Sequence, residues 1–193
     1  MYIEYAIIVW NMNEKFNFTD IRLIAGLGNP GDAYTETFHN AGMQFVSYAA
    51  DRNTKNAQWK KHSSGLFVYA KYDTRIFITP LVFMNESGSA ILRALSFFKI
   101  PPKKMVVAHD DADIYMGNYK IDYNRSAAGH RGILDIIRVL GTQSFWRIRI
   151  GIRNPLEEKR KKALSFVLSK ETDADARTLK KVFSSILEET PLT

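Results

Sequence analysis

The sequence predicts an α/β fold: a single domain with a twisted mixed β-sheet flanked by helices. Apolar runs with strand composition alternate along the chain with segments of helical periodicity. The length, 193 residues, suffices for one sizeable core and is short for two. The turn sequence KYDTR between two predicted strands indicates a hairpin, so the sheet should contain antiparallel as well as parallel neighbours.

The predicted elements follow from residue type and spacing. Six segments rich in β-branched and aromatic residues predict strands at 21–27, 65–72, 75–80, 105–109, 118–122 and 146–152. Helical periodicity predicts helices over 39–52, 87–99, 130–141 and about 174–188. Pro101 and Pro102 end the second helix, and Gly141 is the expected C-cap of the third. The second helix should bury one apolar face formed by Ile91, Leu92, Leu95 and Phe98.

Composition restricts the possible chemistry. The chain has no cysteine, which excludes disulfides, thiolate zinc sites and thiol nucleophiles and suits a reducing cytoplasm. A formal charge of +7 favours a polyanionic partner. Many basic side chains flank the candidate site segments: Lys60, Lys61, Lys99, Lys103, Lys104, Lys120, Arg125 and Arg131. The compact run Lys159–Lys162 is more typical of a solvated helix start than of a binding element.

Residues 1–20 form an N-terminal extension before the domain proper, which we assign to 21–193. The extension leaves three alternatives open: an added edge strand, a disordered arm or an upstream start. Its apolar stretch contains Glu4, lacks a basic leader, and is much shorter than the roughly 20 residues that span a bilayer. We therefore expect neither a signal peptide nor a membrane anchor.

The stretch GLGNPGDAYTETFHN, residues 26–40, follows the first predicted strand and permits two interpretations. Its glycines fit the G-x-G-x-x-G turn of dinucleotide-binding proteins, which would make the chain an oxidoreductase. Pro30, however, lacks the N–H that a phosphate-binding helix should offer, and Asp51 lies inside a predicted helix rather than at a strand end. The stretch is better interpreted as a loop that places Asn29 and His39 at the carboxyl end of a strand.

Four polar segments are expected beyond strand ends, where open α/β sheets bind ligands. They are GLGNPG with the trailing His39, PLVFMNESG, HDDAD and SAAGHRG. Together they contain three of the four histidines, whereas His62 in the basic run WKKH is predicted to lie on the surface.

His39 is a candidate general base because imidazole takes up a proton near neutral pH. Its structural alternative is an N-cap or a partly buried, hydrogen-bonded histidine. Asp110 is the natural carboxylate partner, since accepting from one ring nitrogen would fix the tautomer. The cluster HDDAD also raises a magnesium hypothesis, but no second acidic cluster accompanies it, so we rank metal below the histidine–aspartate pair.

The remaining polar residues suggest binding rather than nucleophilic attack. Asn29, Asn40 and Asn85 carry neutral amides suited to gripping carbonyls, hydroxyls or an oxyanion, although any one of them is more often a turn residue. Ser87 and Ser126 lack the G-x-S-x-G elbow of serine hydrolases. Without a convincing nucleophile, the chemistry favours hydrolysis by water that a histidine activates.

From about residue 21 to 170, the chain resembles the bacterial-type peptidyl-tRNA hydrolase family, which cleaves the ester joining a peptide to the terminal ribose of tRNA. The motif GLGNPGDAYTETFHNAG carries most of the resemblance, and FMNESG, AHDDAD, AGHRG and RIRIGI follow it in the family's order. The resemblance implies a cytoplasmic, monomeric enzyme that acts on peptidyl-tRNA without metal or cofactor and does not associate with membranes.

The resemblance also implies residue roles. His39 matches the general base, Asp110 the carboxylate that orients it, and Asn29 the asparagine that contacts the last residue of the peptide. The substrate-binding positions match Tyr34, Phe83, Asn85 and Arg131. Arg131 departs from the family, which has an asparagine there, so a hydrogen-bond acceptor is replaced by a donor that suits phosphate.

Two other departures concern tRNA docking. Asp122 stands where some members of the family have a lysine, and the carboxyl end supplies one helix instead of a longer tail. These departures keep an alternative open, namely a non-catalytic RNA-binding protein of the same fold.

Overall fold

The computed structural model describes residues 16–54, 57–154 and 166–191. Their centre is a seven-stranded sheet in the order β2-β3-β4-β1-β5-β7-β6. The strands are β1 (Leu23–Gly26), β2 (Lys60–Lys61), β3 (Phe67–Tyr72), β4 (Arg75–Pro80), β5 (Met105–Tyr115), β6 (Tyr119–Tyr123) and β7 (Trp146–Arg153).

The sheet is mixed, as predicted. Its four central strands, β4, β1, β5 and β7, run parallel to one another. The outer strands pair antiparallel: β2 with β3 and β3 with β4 on one side of the sheet, and β6 with β7 on the other. The predicted KYDTR hairpin joins β3 to β4, and Asp73 in its turn has a φ of 51°. The fold class predicted from the sequence is therefore confirmed.

Four helices cover the two faces of the sheet: α1 (Ala41–Thr54), α2 (Ser87–Phe98), α3 (Arg131–Leu140) and α4 (Asp173–Glu189). One apolar core contains side chains of α1 and α4, and the other contains side chains of α2 and α3. Local sequence sets the ends of these helices. Thr172 and Asp175 form a capping box at the start of α4, and Gly141 ends α3 with a φ of 67°.

Strand β5 is longer than the sequence indicated, because HDDAD continues the strand to Tyr115 instead of forming a loop beyond it. Carboxylates are tolerated there because a neighbouring strand supplies a counter-charge. Arg149 of β7 donates to Asp111 and to Asp122 of β6, each at 2.8 Å. Asp122 is thus buried in an ion-pair network that joins three strands and is not a surface residue.

The glycine-rich segment does not open a helix. After β1 the chain forms two short 3-10 turns, at Asp32–Tyr34 and Phe38–Asn40, before α1 begins at Ala41. His39 therefore lies in a 3-10 turn and not in the predicted helix over 39–52. A dinucleotide-binding turn would place a helix N-terminus directly at the glycines, so this arrangement argues against that interpretation.

Two burial predictions were wrong. His62 is 4% exposed rather than on the surface, since its ring stacks on Phe67 at 4.6 Å and meets Phe97 edge-on at 4.5 Å. Leu92, assigned to the buried face of α2, is 44% exposed, whereas Ile91 and Leu95 are buried.

The described part of the extension packs against the domain. Phe18 is fully buried, and Phe16 contacts both Phe18 and Trp146 edge-on. The placement of the domain boundary after residue 20 stays a prediction. The apolar stretch within 1–15 and the basic run Lys159–Lys162 lie outside the described residues. Among the described residues, no helix combines the length and apolar character needed to cross a bilayer.

Helix α1 and the centre of the sheet approach each other at glycine. A Cβ on Gly42 would lie 2.2 Å from the carbonyl oxygen of Ala108 on β5. The same carbonyl accepts a hydrogen bond from the backbone N–H of Leu27, so it cannot move away freely. Because Gly42 follows the His39 turn by three residues and Ala108 precedes Asp110 by two, this contact sets the separation of the two segments.

We predict that Gly42→Ala lowers the free energy of unfolding by about 3 kcal/mol, because the added methyl group overlaps backbone atoms that cannot yield. Helix propensity alone would give the opposite sign, since alanine stabilises helices relative to glycine by up to about 1 kcal/mol. Urea denaturation measures the change. Ser47→Ala, a half-buried position in the same helix, is the matched control and should be near neutral. A stabilised Gly42→Ala protein would contradict the close approach.

Candidate active site

The site is centred on the carboxylate of Asp110, which lies on β5 in the middle of the sheet and is 3% exposed. The Nδ1 atom of His39 lies 2.7 Å from Asp110 Oδ1. An ionised carboxylate only accepts hydrogen bonds, so Nδ1 carries the proton and Nε2 is left as an acceptor. The structure thus brings the two residues that the sequence paired into contact, in the tautomer that a general base requires.

A second histidine binds the same carboxylate. His130 Nε2 lies 3.0 Å from Asp110 Oδ1, and the rings of His130 and His39 have centroids 5.2 Å apart. His130 Nδ1 accepts from the backbone N–H of Ile133, which fixes its tautomer as well as capping α3. His130 belongs to SAAGHRG, one of the polar segments predicted beyond strand ends, but the sequence predicted no role for it. Its place at the first residue of the helix predicted over 130–141 was the available signal.

The two histidines determine the charge state of Asp110. Burial by itself would raise the pKa of this carboxyl group. The electrostatic interaction with His130 and the hydrogen bonds from His130 and His39 more than offset burial, and they hold the pKa of Asp110 well below its usual range. The carboxylate therefore stays ionised near neutral pH and orients both rings.

Asn29 is buried in a network of amides beside the histidine turn. Its Oδ1 accepts from the backbone N–H of Met84 at 2.9 Å. Its backbone N–H donates to Asn40 Oδ1 at 2.8 Å, and Asn40 Nδ2 donates to the carbonyl of Asn29 at 3.0 Å. Because Met84 N–H can only donate, the Asn29 amide is oriented unambiguously. Its Nδ2 has no hydrogen-bond partner in the described part of the chain, so this donor is available to a ligand.

The two aromatic residues that match substrate-binding positions of the family, Tyr34 and Phe83, contact each other. Tyr34, in the first 3-10 turn, and Phe83, which precedes the turn at Met84–Glu86, meet edge-on with centroids 6.2 Å apart. Phe83 is 50% exposed. The pair provides an accessible apolar surface.

Asn85 and Arg131 are both exposed, on elements that pack together. Asn85 lies in the 3-10 turn before α2, and Arg131 is the first residue of α3. A Cβ on Gly132 would lie 2.4 Å from Met84 Sδ, so glycine allows α3 to pack closely against that turn. Asp135 of α3 also accepts from the backbone N–H of Gly88 at 2.8 Å, which caps the start of α2.

The group His39, Asp110 and His130 is the one set of potential metal ligands in the described ranges, with ligand atoms within 4.8 Å of one another. The separations of 2.7 Å and 3.0 Å between the ring nitrogens and Oδ1 are hydrogen-bond distances. These side chains therefore bind one another directly. The magnesium cluster considered for HDDAD is a different set, and there Asp111 is engaged by Arg149.

The two serines considered as nucleophiles have structural contacts instead. Ser87 is buried at the start of α2, where its hydroxyl donates to the carbonyl of Met84. The carbonyl of Ser126 accepts from Arg147 Nη1 at 2.8 Å, and no described histidine contacts its hydroxyl. A serine mechanism therefore has no base to support it among the described residues.

Comparison with known proteins places this architecture in a family. A model of the peptidyl-tRNA hydrolase family matches residues 23–193. The chain is 38% identical over 165 residues to a peptidyl-tRNA hydrolase of Lactobacillus gasseri, an alignment that covers 84% of this chain and 87% of the relative. It is 43% identical over 145 residues to one of Caldicellulosiruptor saccharolyticus, covering 74% of this chain and 76% of that relative.

Solved structures agree with the sequence comparison. A crystal structure of peptidyl-tRNA hydrolase from Acinetobacter baumannii matches with a TM-score of 0.77 and 28% identity, covering 91% of this chain and 89% of that one. A crystal structure of a peptidyl-tRNA hydrolase in complex with N-propanol matches equally well. The resemblance found in the sequence motifs is confirmed, and the chain belongs to the peptidyl-tRNA hydrolase family.

Proposed function

We propose that this chain hydrolyses the ester bond of peptidyl-tRNA with water that His39 activates, without a metal, and so returns tRNA from stalled translation. Membership of the family supports the reaction. The observation that supports the mechanism is the 2.7 Å hydrogen bond between His39 Nδ1 and Asp110, because it leaves Nε2 as an acceptor. We further propose a cytoplasmic monomer, which suits a cysteine-free chain with a net charge of +7.

The chemistry needs one base and a means of holding the developing negative charge. His39 Nε2 takes a proton from water while the water oxygen bonds to the ester carbonyl carbon, giving a tetrahedral intermediate. The intermediate collapses when the bond to the ribose oxygen breaks, and the imidazolium returns its proton to that oxygen. Asp110 stabilises the imidazolium during this cycle, as in other histidine–carboxylate pairs.

The neighbouring residues fit the two halves of the substrate. The free Nδ2 donor of Asn29 suits a carbonyl oxygen of the last peptide residue, and Asn85 at the rim supplies a second amide for the substrate, the attacking water or the oxyanion. The Tyr34–Phe83 pair, in which Phe83 is exposed and Tyr34 is half-buried, suits stacking with the terminal nucleotide. Arg131 offers guanidinium donors to a phosphate of the acceptor end.

His130 gives Asp110 a second constraint. Because it donates to the same Oδ1 atom as His39, it prevents the carboxylate from rotating away from the catalytic ring. We assign it to orientation of Asp110, since its own Nδ1 is occupied by the Ile133 amide and has no acceptor capacity left for water.

We predict that His39→Ala lowers kcat for N-acetylated aminoacyl-tRNA by about 10²- to 10⁴-fold, the usual contribution of a general base. The assay is run in excess EDTA, and the wild type should keep full activity there. Circular dichroism and a melting curve establish that the variant is folded. Full activity of His39→Ala would exclude the mechanism, whereas loss of wild-type activity in EDTA alone would restore the metal hypothesis. Retained tRNA binding without ester cleavage by the wild type would favour the non-catalytic alternative.

Asp110→Asn should lower kcat by a factor similar to that of His39→Ala, because a neutral amide cannot stabilise the imidazolium and presents a donor where the rings need an acceptor. Asp113→Asn, on the same strand but exposed, is the matched control and should keep kcat within about twofold. Steady-state kinetics with the same substrate measures both. Equal activity of the two variants would show that the carboxylate shared by the histidines is dispensable.

Arg131→Ala should raise KM several-fold and reduce the slope of log affinity against log salt concentration by about 1, the effect of losing one phosphate contact. Arg93→Ala, an exposed arginine on α2, is the control for a change in net charge alone. Binding of N-acetylated aminoacyl-tRNA to inactive His39→Ala protein at several salt concentrations provides the slope. An unchanged slope would remove Arg131 from the phosphate-contacting residues.

A further inference from the structure

A buried histidine that the proposed mechanism does not use lies directly beneath the site. His109 precedes Asp110 on β5, so its side chain emerges on the opposite face of the strand. It is 3% exposed, and its Nδ1 lies 2.7 Å from the backbone carbonyl oxygen of Asp110. A carbonyl only accepts hydrogen bonds, so Nδ1 carries a proton and the bond holds the His109 ring in one orientation.

The His109 ring faces His130. The two rings are T-shaped, with centroids 4.5 Å apart and an interplanar angle of 67°. His130 is bound at both ring nitrogens, by Asp110 on one side and Ile133 on the other. The T-shaped contact with His109 adds van der Waals packing to those two hydrogen bonds and further restricts displacement of the His130 ring.

The environment of His109 suits a packing role. Burial and the neighbouring His130 lower the pKa of His109 well below its ordinary value, so the ring is neutral at neutral pH. A neutral ring adds no charge that would compete with His39 for the carboxylate. Its Nε2 is buried and has no hydrogen-bond partner among the described residues, so its proton-transfer capacity is not connected to the site.

We propose that His109 is a positioning residue: its ring packs against His130 and keeps that histidine aligned with Asp110, which in turn orients His39. The hydrogen bond to the Asp110 carbonyl holds the His109 ring itself. This proposal rests on the proposed function only for its effect on turnover. The alignment of His130 is a structural consequence that can be observed without turnover.

Two substitutions separate the contacts of His109. His109→Phe keeps an aromatic ring against His130 and loses the donor to the Asp110 carbonyl. His109→Asn keeps a donor close to the Nδ1 position and loses the ring. If the ring contact positions His130, His109→Asn lowers kcat about tenfold or more with KM within about twofold, and His109→Phe stays within about threefold of wild type. The reverse order would overturn the proposal, because the hydrogen bond would then be the positioning contact.

His62 provides the matched control, since it is 4% exposed and its ring also packs against an aromatic ring, that of Phe67, outside the site. His62→Asn should lose a similar amount of stability in a melting experiment while keeping kcat. If both asparagine variants lose stability and neither loses kcat, His109 is merely structural and the proposal is wrong. If His109→Asn does not fold, His109→Leu takes its place, because leucine fills the space without a planar ring.

The nitrogen-bound proton of His130 gives a readout that needs no turnover. NMR of protein labelled with ¹⁵N at histidine should show the His130 Nε2–H signal in the wild type and in His109→Phe, and should show it broadened or lost in His109→Asn. His130→Gln assigns the signal. A full-strength signal in folded His109→Asn would overturn the positioning role. If His39→Ala were fully active, the proposed His39 mechanism would fail, while this measurement would still decide the role of His109.

Discussion

The arrangement of the candidate active site depends on one buried carboxylate, that of Asp110, which accepts hydrogen bonds from two histidines. Asp110 Oδ1 accepts a hydrogen bond from His39 Nδ1, in the segment after β1, at 2.7 Å. It accepts a second one from His130 Nε2, directly before α3, at 3.0 Å. A buried charge is costly unless it is hydrogen-bonded, so the carboxylate and both rings must be placed together. The stability of the fold and the orientation of the His39 ring thus rest on the same contacts.

Several contacts elsewhere in the fold position the segments that carry Asp110 and the two histidines. Gly42 lets α1 approach β5 closely on one face, and on the other face Asp135 of α3 caps α2, which fixes these two helices relative to each other. The loop that leads to His130 is held from below by Arg147, whose Nη1 donates to the Ser126 carbonyl while its guanidinium lies 4.7 Å from the centre of the Phe145 ring. Burial and the nearby charges of Arg125 and Arg149 lower the pKa of Arg147 to about 10, which still leaves it charged at neutral pH.

Much of the fold could be predicted because its signals are local. Apolar alternation identified the main strands, and caps such as Gly141 identified helix ends. The predictions were wrong where a partner distant in the sequence lets a residue occupy an environment that its type usually avoids. Acidic residues are rare in strands, yet Asp111 stays in β5 because Arg149, 38 positions later, neutralises it. His62 is polar in a basic run, yet it is buried because Phe67 and Phe97 enclose its ring.

The sequence by itself determined the family, the mixed α/β sheet and the residue types of the site, because motifs such as GLGNPGDAYTETFHNAG and AHDDAD are contiguous and occur in a fixed order. Only the tertiary structure decided that His130 shares Asp110 with His39 and that His109 packs beneath it. The pairs that share Asp110 are separated by 71 and 20 positions in the chain. Whether two groups form a hydrogen bond depends on a few tenths of an ångström in their separation. The packing of whole helices and strands sets that separation, so a local sequence pattern does not predict it.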